Sequence, residues 1–261
     1  MIESLNSPHL ARVKALIGSK GVKERRAAGE FVAEGMQCFR EAIASPNGPR
    51  IQTLYLTESA RIKVDEITDL SLINTFDVSD GVMAAMSQTI TPQGILAICT
   101  IPQVSIDSIA LNGARKFIYL SEIQDPGNAG TILRSADAFG MDAVITSPGS
   151  VDMYSPKVVR STAGSLWHVP VFESIELQGL LSSKKLHAFT LGSKGSKPLA
   201  DFIISGDCLA IFGNEARGIP SDQSTSTIES INIPMPGAAE SLNLSAAAAI
   251  TMYHLANIRP A

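Results

Sequence analysis

The sequence predicts an α/β protein with a mostly parallel sheet. Two observations carry this. Short β-branched and aromatic runs alternate with helical patterns along the whole chain, and alternation of that kind implies strands joined by covering helices. The chain has 261 residues, 45% of them hydrophobic, enough to bury one or two proper cores. In such a sheet a ligand is expected at the carboxyl ends of the strands.

The first hundred residues read as one compact α/β unit. Ser7-Pro8 opens a helix in which Leu10, Val13, Leu16 and Ile17 recur at helical spacing. A polar, basic stretch follows, then a short strand at Phe31-Val32-Ala33 and a helix from Gly35 with Met36, Phe39 and Ile43 on its apolar face. The turn Pro46-Asn47-Gly48-Pro49 precedes the strand IQTLYLT. VSDGVMAAMSQ is a short helix capped by Ser79 or Asp80, and GILAICTIP is a buried strand that Pro102 ends. The more polar VSIDSIALNGAR carries the boundary, which sets the expected domains at 1–105 and 114–261.

From Lys116 the pattern restarts. KFIYLSEI is a strand, and Asn128 to Phe139 is a helix with Asn128 as its cap. DAVITSPG, HVPVFES, KLHAFTLGS and CLAIFGNE are further strands. ESINIPM is the last, ahead of a closing alanine-rich helix entered through Ser241, Asn243 and Ser245.

Composition excludes several classes. Cys38, Cys99 and Cys208 sit in apolar runs and His9, His168, His187 and His254 are scattered, so neither a disulfide framework nor a metal site is expected. No leader and no membrane-length apolar run is seen, and a cytoplasmic protein is expected. The net charge of −4 offers nothing to nucleic acid by itself. Locally, however, Arg12, Lys14, Lys20, Lys23, Arg25 and Arg26 cluster with few acids between them, as either a solvated helix face or an RNA contact.

Three strand exits hold the candidate chemistry. Asp125-Pro126-Gly127-Asn128-Ala129-Gly130 opens a helix that carries Arg134 about a turn and a half in. On spacing alone this also fits a plain capped helix with Arg134 paired to Asp137 or Glu122. FGNEARGIP runs from a strand into Gly213, Asn214 and Glu215, where a glycine lets a ligand approach the backbone or simply makes a tight turn. It lacks the GxGxxG spacing, which argues against a nicotinamide-dependent enzyme. The third exit is the small-residue loop of IPMPGAAESLNLSAAAAI, which brings backbone N–H groups to whatever occupies the turn or simply leads into a well-capped helix; Ala246 to Ala249 read as packing surface.

In order, NAGTILRSADAFG, FGNEARGI and IPMPGAAESLNLSAAAAI resemble the three signature motifs of the SpoU/TrmH family of RNA ribose 2′-O-methyltransferases, in the SPOUT superfamily. The resemblance runs from Lys116 to the C-terminus. Ala216 stands where a second glycine is common and Pro236 sits beside the loop glycine, and neither removes a polar group. The N-terminal part resembles, more loosely, the ribosomal-protein-like substrate-binding domain that precedes many of these enzymes.

The resemblance implies a trefoil-knotted α/β methyltransferase domain, S-adenosylmethionine as cofactor and a homodimer. It assigns Gly213, Ile233 and Leu242 to the cofactor, with Leu191, Gly192 and Leu244 nearby. Arg134, Glu215, Asn128, Ser241 and Asn243 become the catalytic group, with Asn128 holding Arg134 or a phosphate. A guanidinium is not deprotonated in proteins, so the expected role of Arg134 is to stabilise the developing alkoxide and clamp a phosphate, with Glu215 accepting the proton or orienting it. Lys23, Arg25, Arg26, Lys157 and Arg160 are the expected RNA contacts. Ribosomal RNA is favoured over transfer RNA, with an antibiotic-resistance methyltransferase or a catalytically silent assembly factor as alternatives.

Overall fold

The computed structural model describes residues 1–192, 195, 197–204, 206–214 and 228–258. Packing divides the chain into two units, Met1–Gln103 with Tyr154–His168, and Val104–Met153 with Val169–Ala261.

The first unit opens with helix α1 (Pro8–Ile17) and helix α2 (Gly21–Ala28), followed by β1 (Glu30–Glu34), α3 (Met36–Ala44), β2 (Ile51–Leu56), α4 (Glu58–Asp65), β3 (Thr75–Asp77), α5 (Asp80–Met86) and β4 (Ile95–Thr100). The strands lie in the order β1-β4-β2-β3, with β4 antiparallel to both neighbours. The Ser7 hydroxyl accepts from the His9 N–H, and Pro8 occupies the first turn, so the start of α1 forms where its sequence directs. Its Leu10, Val13 and Leu16 are buried in one core with Val32, Tyr55, Leu96 and Ile98 of the sheet and Val82, Met83 and Met86 of α5. Ser79 rather than Asp80 caps α5, accepting from the Val82 N–H at 3.3 Å.

The basic stretch is a helix, α2, and one of its cations is internal. Arg25 is 3% exposed, and its guanidinium donates to the carbonyl of Leu16. That side chain closes the α1–α2 turn and is not available to RNA, which corrects its expected role. Lys23 and Arg26 are exposed.

A second correction concerns Lys157 and Arg160, which lie on α7 (Pro156–Ser161). Sequence order assigns this helix to the second half, but it packs in the first unit. The Phe31 ring holds it there, with centroids 5.2 Å from Tyr154 and 6.0 Å from Trp167. The indole N–H of Trp167 donates to the Pro49 carbonyl at 2.9 Å, and His168 approaches Glu41 at 3.2 Å. Arg160 faces Glu34 at 4.0 Å across a largely buried carboxylate, which makes it part of the packing; Lys157 is exposed.

The second unit carries β5 (Lys116–Leu120), α6 (Pro126–Ala138), β6 (Ala143–Thr146), β7 (Val171–Phe172), α8 (Leu177–Ser183), β8 (His187–Leu191), β9 (Lys197–Pro198), β10 (Cys208–Phe212), β11 (Glu229–Asn232) and α9 (Leu244–Asn257). The sheet order is β7-β6-β5-β10-β8-β11-β9, and every pairing is parallel. Its middle strands are buried along almost their whole length, as a doubly covered parallel sheet requires. One core of this unit joins Phe117, Tyr119, Ile145, Phe172, Leu209 and Ile211 of the strands to Leu177 and Leu180 of α8. Burial pushes the thiol of Cys38 up to about 11 and that of Cys208 up to about 12, so these cysteines are inert packing groups.

Entry to β5 is fixed by one carboxylate. Asp207 is buried and accepts from the backbone N–H groups of Asn112, Gly113 and Arg115 at 3.3, 3.0 and 2.8 Å. Burial by itself would raise its pKa, but the N–H donors outweigh it and hold the carboxyl below the ordinary aspartate range. A group shifted this way adds stability at neutral pH and loses it as pH falls through the folded value. Asp207→Asn should therefore lower stability by about 2 kcal/mol at pH 7. Paired urea titrations should show the difference between the two proteins shrinking below about pH 4.

Candidate functional site

Parallel strands deliver their carboxyl ends to one edge, and there the described residues form a cleft of about 130 Å³. Leu191 and Gly192 enter it from the end of β8, and Ile233 and Met235 from beyond β11. Glu240, Ser241, Leu242 and Ala247 enter from the loop and first turn of α9. The walls are aliphatic, and Glu240 is the one ionisable group among these residues.

The turn after β8 is clamped to β11. Gly192 N–H donates to the Ile231 carbonyl at 2.9 Å, Gly195 N–H to the Gly192 carbonyl at 3.0 Å, and the Asn232 amide to the Gly195 carbonyl at 2.8 Å. A Cβ on Gly195 would lie 2.3 Å from the Ile231 carbonyl carbon, so only glycine lets these backbones approach.

Two helix starts meet beside this loop. The cap of α6 is Asp125, whose carboxylate accepts from the Asn128 N–H at 2.7 Å, and Pro126 is the first helical residue. Asn128 is therefore inside the first turn and not the cap expected of it. Its Oδ1 accepts from Nδ2 of Asn243 at 3.3 Å. Asn243 in turn caps α9, its Oδ1 accepting from the N–H groups of Ser245 and Ala246 at 2.9 and 3.3 Å and from the Ser245 hydroxyl at 2.6 Å. One carboxamide thus spans both helix starts.

A third join ties the exits of the middle strands. Asn214, just past β10, donates through Nδ2 to the Glu122 carbonyl at 3.0 Å, and the Glu122 N–H donates to the Ser147 hydroxyl at 2.7 Å. Glu122 has a φ of 50°, a strained value for a side-chain-bearing residue, held by these two bonds.

The expected site residues divide accordingly. Leu191, Gly192, Ile233 and Leu242 share the cleft with Ser241, while Asn128 and Asn243 are bonded to each other. Gly213 follows β10 and Leu244 begins α9, and neither lines the cleft. Arg134 is exposed on α6, and no hydrogen bond or ion pair holds it among the described residues. Asn128 is tied to Asn243 and not bonded to Arg134, which leaves the phosphate of its expected role. Glu215, and with it most of the second motif, lies outside the described residues. Met235 and Glu240 were missed, although their places at the small-residue loop signalled them, and Ala247 of α9 lines the cleft where its alanine run reads as packing surface.

Comparison with known proteins decides the family. The SpoU rRNA Methylase family profile matches residues 115–253, and that of the MRM3-like substrate binding domain matches residues 11–97. This chain belongs to the SpoU rRNA methylase family. It is 32% identical over 235 residues to the Bacillus subtilis 23S rRNA (guanosine(2553)-2′-O)-methyltransferase RlmP, covering 89% of this chain and 91% of that protein. It is 27% identical to the Streptomyces viridochromogenes 23S rRNA (uridine(2479)-2′-O)-methyltransferase, covering 92% of this chain and 86% of the relative. The AdoMet-bound rRNA methyltransferase from Sinorhizobium meliloti shares the fold, with a TM-score of 0.85 at 24% identity over 97% of this chain and 96% of that one.

The shared carboxamide makes a separable prediction. Asn243→Ala should lower stability by about 1 kcal/mol through loss of the α9 cap. Asn243→Asp keeps the capping acceptor and loses only the donor to Asn128, so thermal melts should place it between the wild type and the alanine variant.

Proposed function

We propose that this SpoU-family protein transfers a methyl group from S-adenosylmethionine to a ribose 2′-hydroxyl of large-subunit ribosomal RNA. The observation that carries this is the strand-end cleft beside the joined helix starts of the first and third motifs. The activities named for the relatives in Bacillus and Streptomyces support ribosomal RNA over transfer RNA.

The lining fits the cofactor. Leu191, Ile233, Leu242 and Ala247 supply aliphatic walls, and the strand-end backbone supplies donors and acceptors for an adenine edge. The carboxylate of Glu240 gives a negative charge to the same cleft. When bound, S-adenosylmethionine supplies a methyl carbon activated by a sulfonium. The protein's task is then positioning, with reacting atoms held at about 3–3.5 Å. Ser241 presents a hydroxyl to a ribose at the cleft, and Asn243 holds the loop and helix start beside it. Arg134, exposed and always charged, is suited to clamp the adjacent phosphate and to stabilise the oxygen as its proton leaves. Glu215 stays assigned as proton acceptor or orienting group. Lys23 and Arg26, with Lys20 on the same cleft of the first unit, serve as phosphate contacts, and exposed Lys157 joins them.

We further propose that the chain is a homodimer with a trefoil knot and that it works in the cytoplasm. Helix α9 leaves Ile250 and Tyr253 exposed at 40% and 60% on one stripe with Ala246, and the Phe139 ring sits against Tyr253 at 5.9 Å. That apolar stripe supports a subunit interface. The late strands β10 and β11 enter the interior of the sheet between earlier ones or beside them, which supports the knot. Three buried free thiols support a reducing compartment. The domain division proposed is 1–105 and 114–261, with 154–168 packing on the first unit.

Tritium transfer from labelled S-adenosylmethionine into ribosomal RNA from cells lacking this protein tests the reaction. Wild type should label the large-subunit RNA, and Arg134→Ala should lose at least about 100-fold, the scale of one charge-stabilising donor. Arg134→Lys retaining most of the rate would refute the planar-fork role. Label confined to transfer RNA would overturn the substrate. Light scattering of Tyr253→Glu should report a monomer if the α9 stripe is the interface, and a persistent dimer would place the interface elsewhere.

A further inference from the structure

The first unit contains a cavity that the proposed reaction does not use. It measures about 260 Å³ and lies where α1 meets the sheet. His9 and Arg12 of α1 border its mouth, Glu30 of β1 forms one wall, and Thr53, Tyr55 and Ile98 form the floor. The volume is just under the roughly 300–1,000 Å³ of small-molecule pockets, room for a single ring system.

The placement follows from the register. Glu30, Val32 and Ile98 share a sheet face with Thr53 and Tyr55, the face that α1 covers. The β2–β4 register shifts between Ile51 and Thr53, and such a bulge re-aims the side chain beside it. The floor is rigid, since Tyr55 is 2% exposed and its hydroxyl lies 3.1 Å from Nδ1 of His9. The His9 ring is itself held against Phe76 at 4.3 Å.

Charge selects the ligand. Arg12 and Glu30 form an ion pair through one guanidinium nitrogen, Nη2, and one carboxylate oxygen, Oε2. The remaining guanidinium N–H groups and Oε1 have no partner among the described residues. The two charges cancel, and Glu30 repels a phosphate. The cleft of Ser19, Lys20, Lys23 and Arg26, by contrast, holds cations without an acid among its lining. A flat, neutral molecule with adjacent donors and acceptors satisfies the Arg12–Glu30 pair, and an unstacked nucleobase has that chemistry. Guanine fits best. Its O6 and N7 accept from a guanidinium and its N1–H and N2–H donate to a carboxylate, whereas adenine offers no such donor pair to Glu30.

We propose that this cavity is a base-reading pocket, in which Arg12 and Glu30 recognise one unstacked guanine of the substrate RNA beside Thr53, above the buried Tyr55 and Ile98. The proposal rests on the RNA-modifying reading of the chain. It gives the first unit sequence selectivity beyond phosphate attraction, at a nucleotide distinct from the one methylated.

The test is a titration of the full-length ¹⁵N-labelled protein with guanosine, adenosine and inorganic phosphate, followed by amide shifts. Guanosine should move the amides around Arg12, Glu30 and Thr53, with adenosine about tenfold or more weaker. Glu30→Gln should weaken guanosine by a similar factor, and should raise KM for RNA while leaving kcat and S-adenosylmethionine affinity unchanged. Thr53→Leu, which fills the floor, should abolish guanosine shifts in a protein that still binds the cofactor. Equal shifts for both nucleosides, no shifts at these amides, or the same shifts with phosphate alone would each overturn the pocket. Methyl transfer measured on the same samples separates the two readings. Transfer without guanosine binding removes the pocket alone, and guanosine binding without transfer keeps the pocket and removes the methyltransferase reading.

Discussion

The structure of the second unit depends on parallel pairing. A parallel neighbour cannot be reached by a tight hairpin, so each strand must be followed by a crossover before the chain returns to the same end of the sheet. With every pairing of the seven-stranded sheet parallel, all strand exits collect on one edge. The residues that follow β5, β8, β10 and β11 are brought together there without any sequence proximity. A cleft with aliphatic walls is the direct result.

Polar side chains then fix that edge. Asn243 ties the start of α9 to Asn128 in the first turn of α6, and Asn214 ties the exit of β10 to that of β5. Each bond joins segments about 90 or more positions apart, so each constrains the loops far more than a local turn would. The two helix starts bring their positive dipole ends to this edge, each already met by a capping acceptor, Asp125 for α6 and Asn243 for α9. Arg134 adds a full charge on the exposed face of α6.

Much of this was legible in the sequence, and the exceptions have physical causes. The central strands KFIYL, AVIT and CLAIF read correctly because burial on both faces leaves a continuous apolar run. The cap of α6 was misread at Asn128, although Asp125-Pro126 is the stronger start signal, an acceptor followed by proline at the first helical position. Arg25 looked like its basic neighbours because nothing in a charge run distinguishes the one side chain that turns inward onto the Leu16 carbonyl. The packing of Tyr154–His168 with the first unit was not legible. Its partners, Phe31 and Pro49, are more than 100 positions away, and no local pattern encodes them. Within the site, Leu191, Gly192, Ile233, Ser241 and Leu242 line one cleft, while Gly213 and Leu244 stand outside it.

Hydrogen–deuterium exchange with and without S-adenosylhomocysteine tests most directly whether the strand-end cleft receives the cofactor. Protection should be confined to three segments that the sheet brings together, residues 189–192, 230–235 and 240–247. Protection at other sites of the second unit with these three unchanged, or no protection at a saturating concentration, would contradict it.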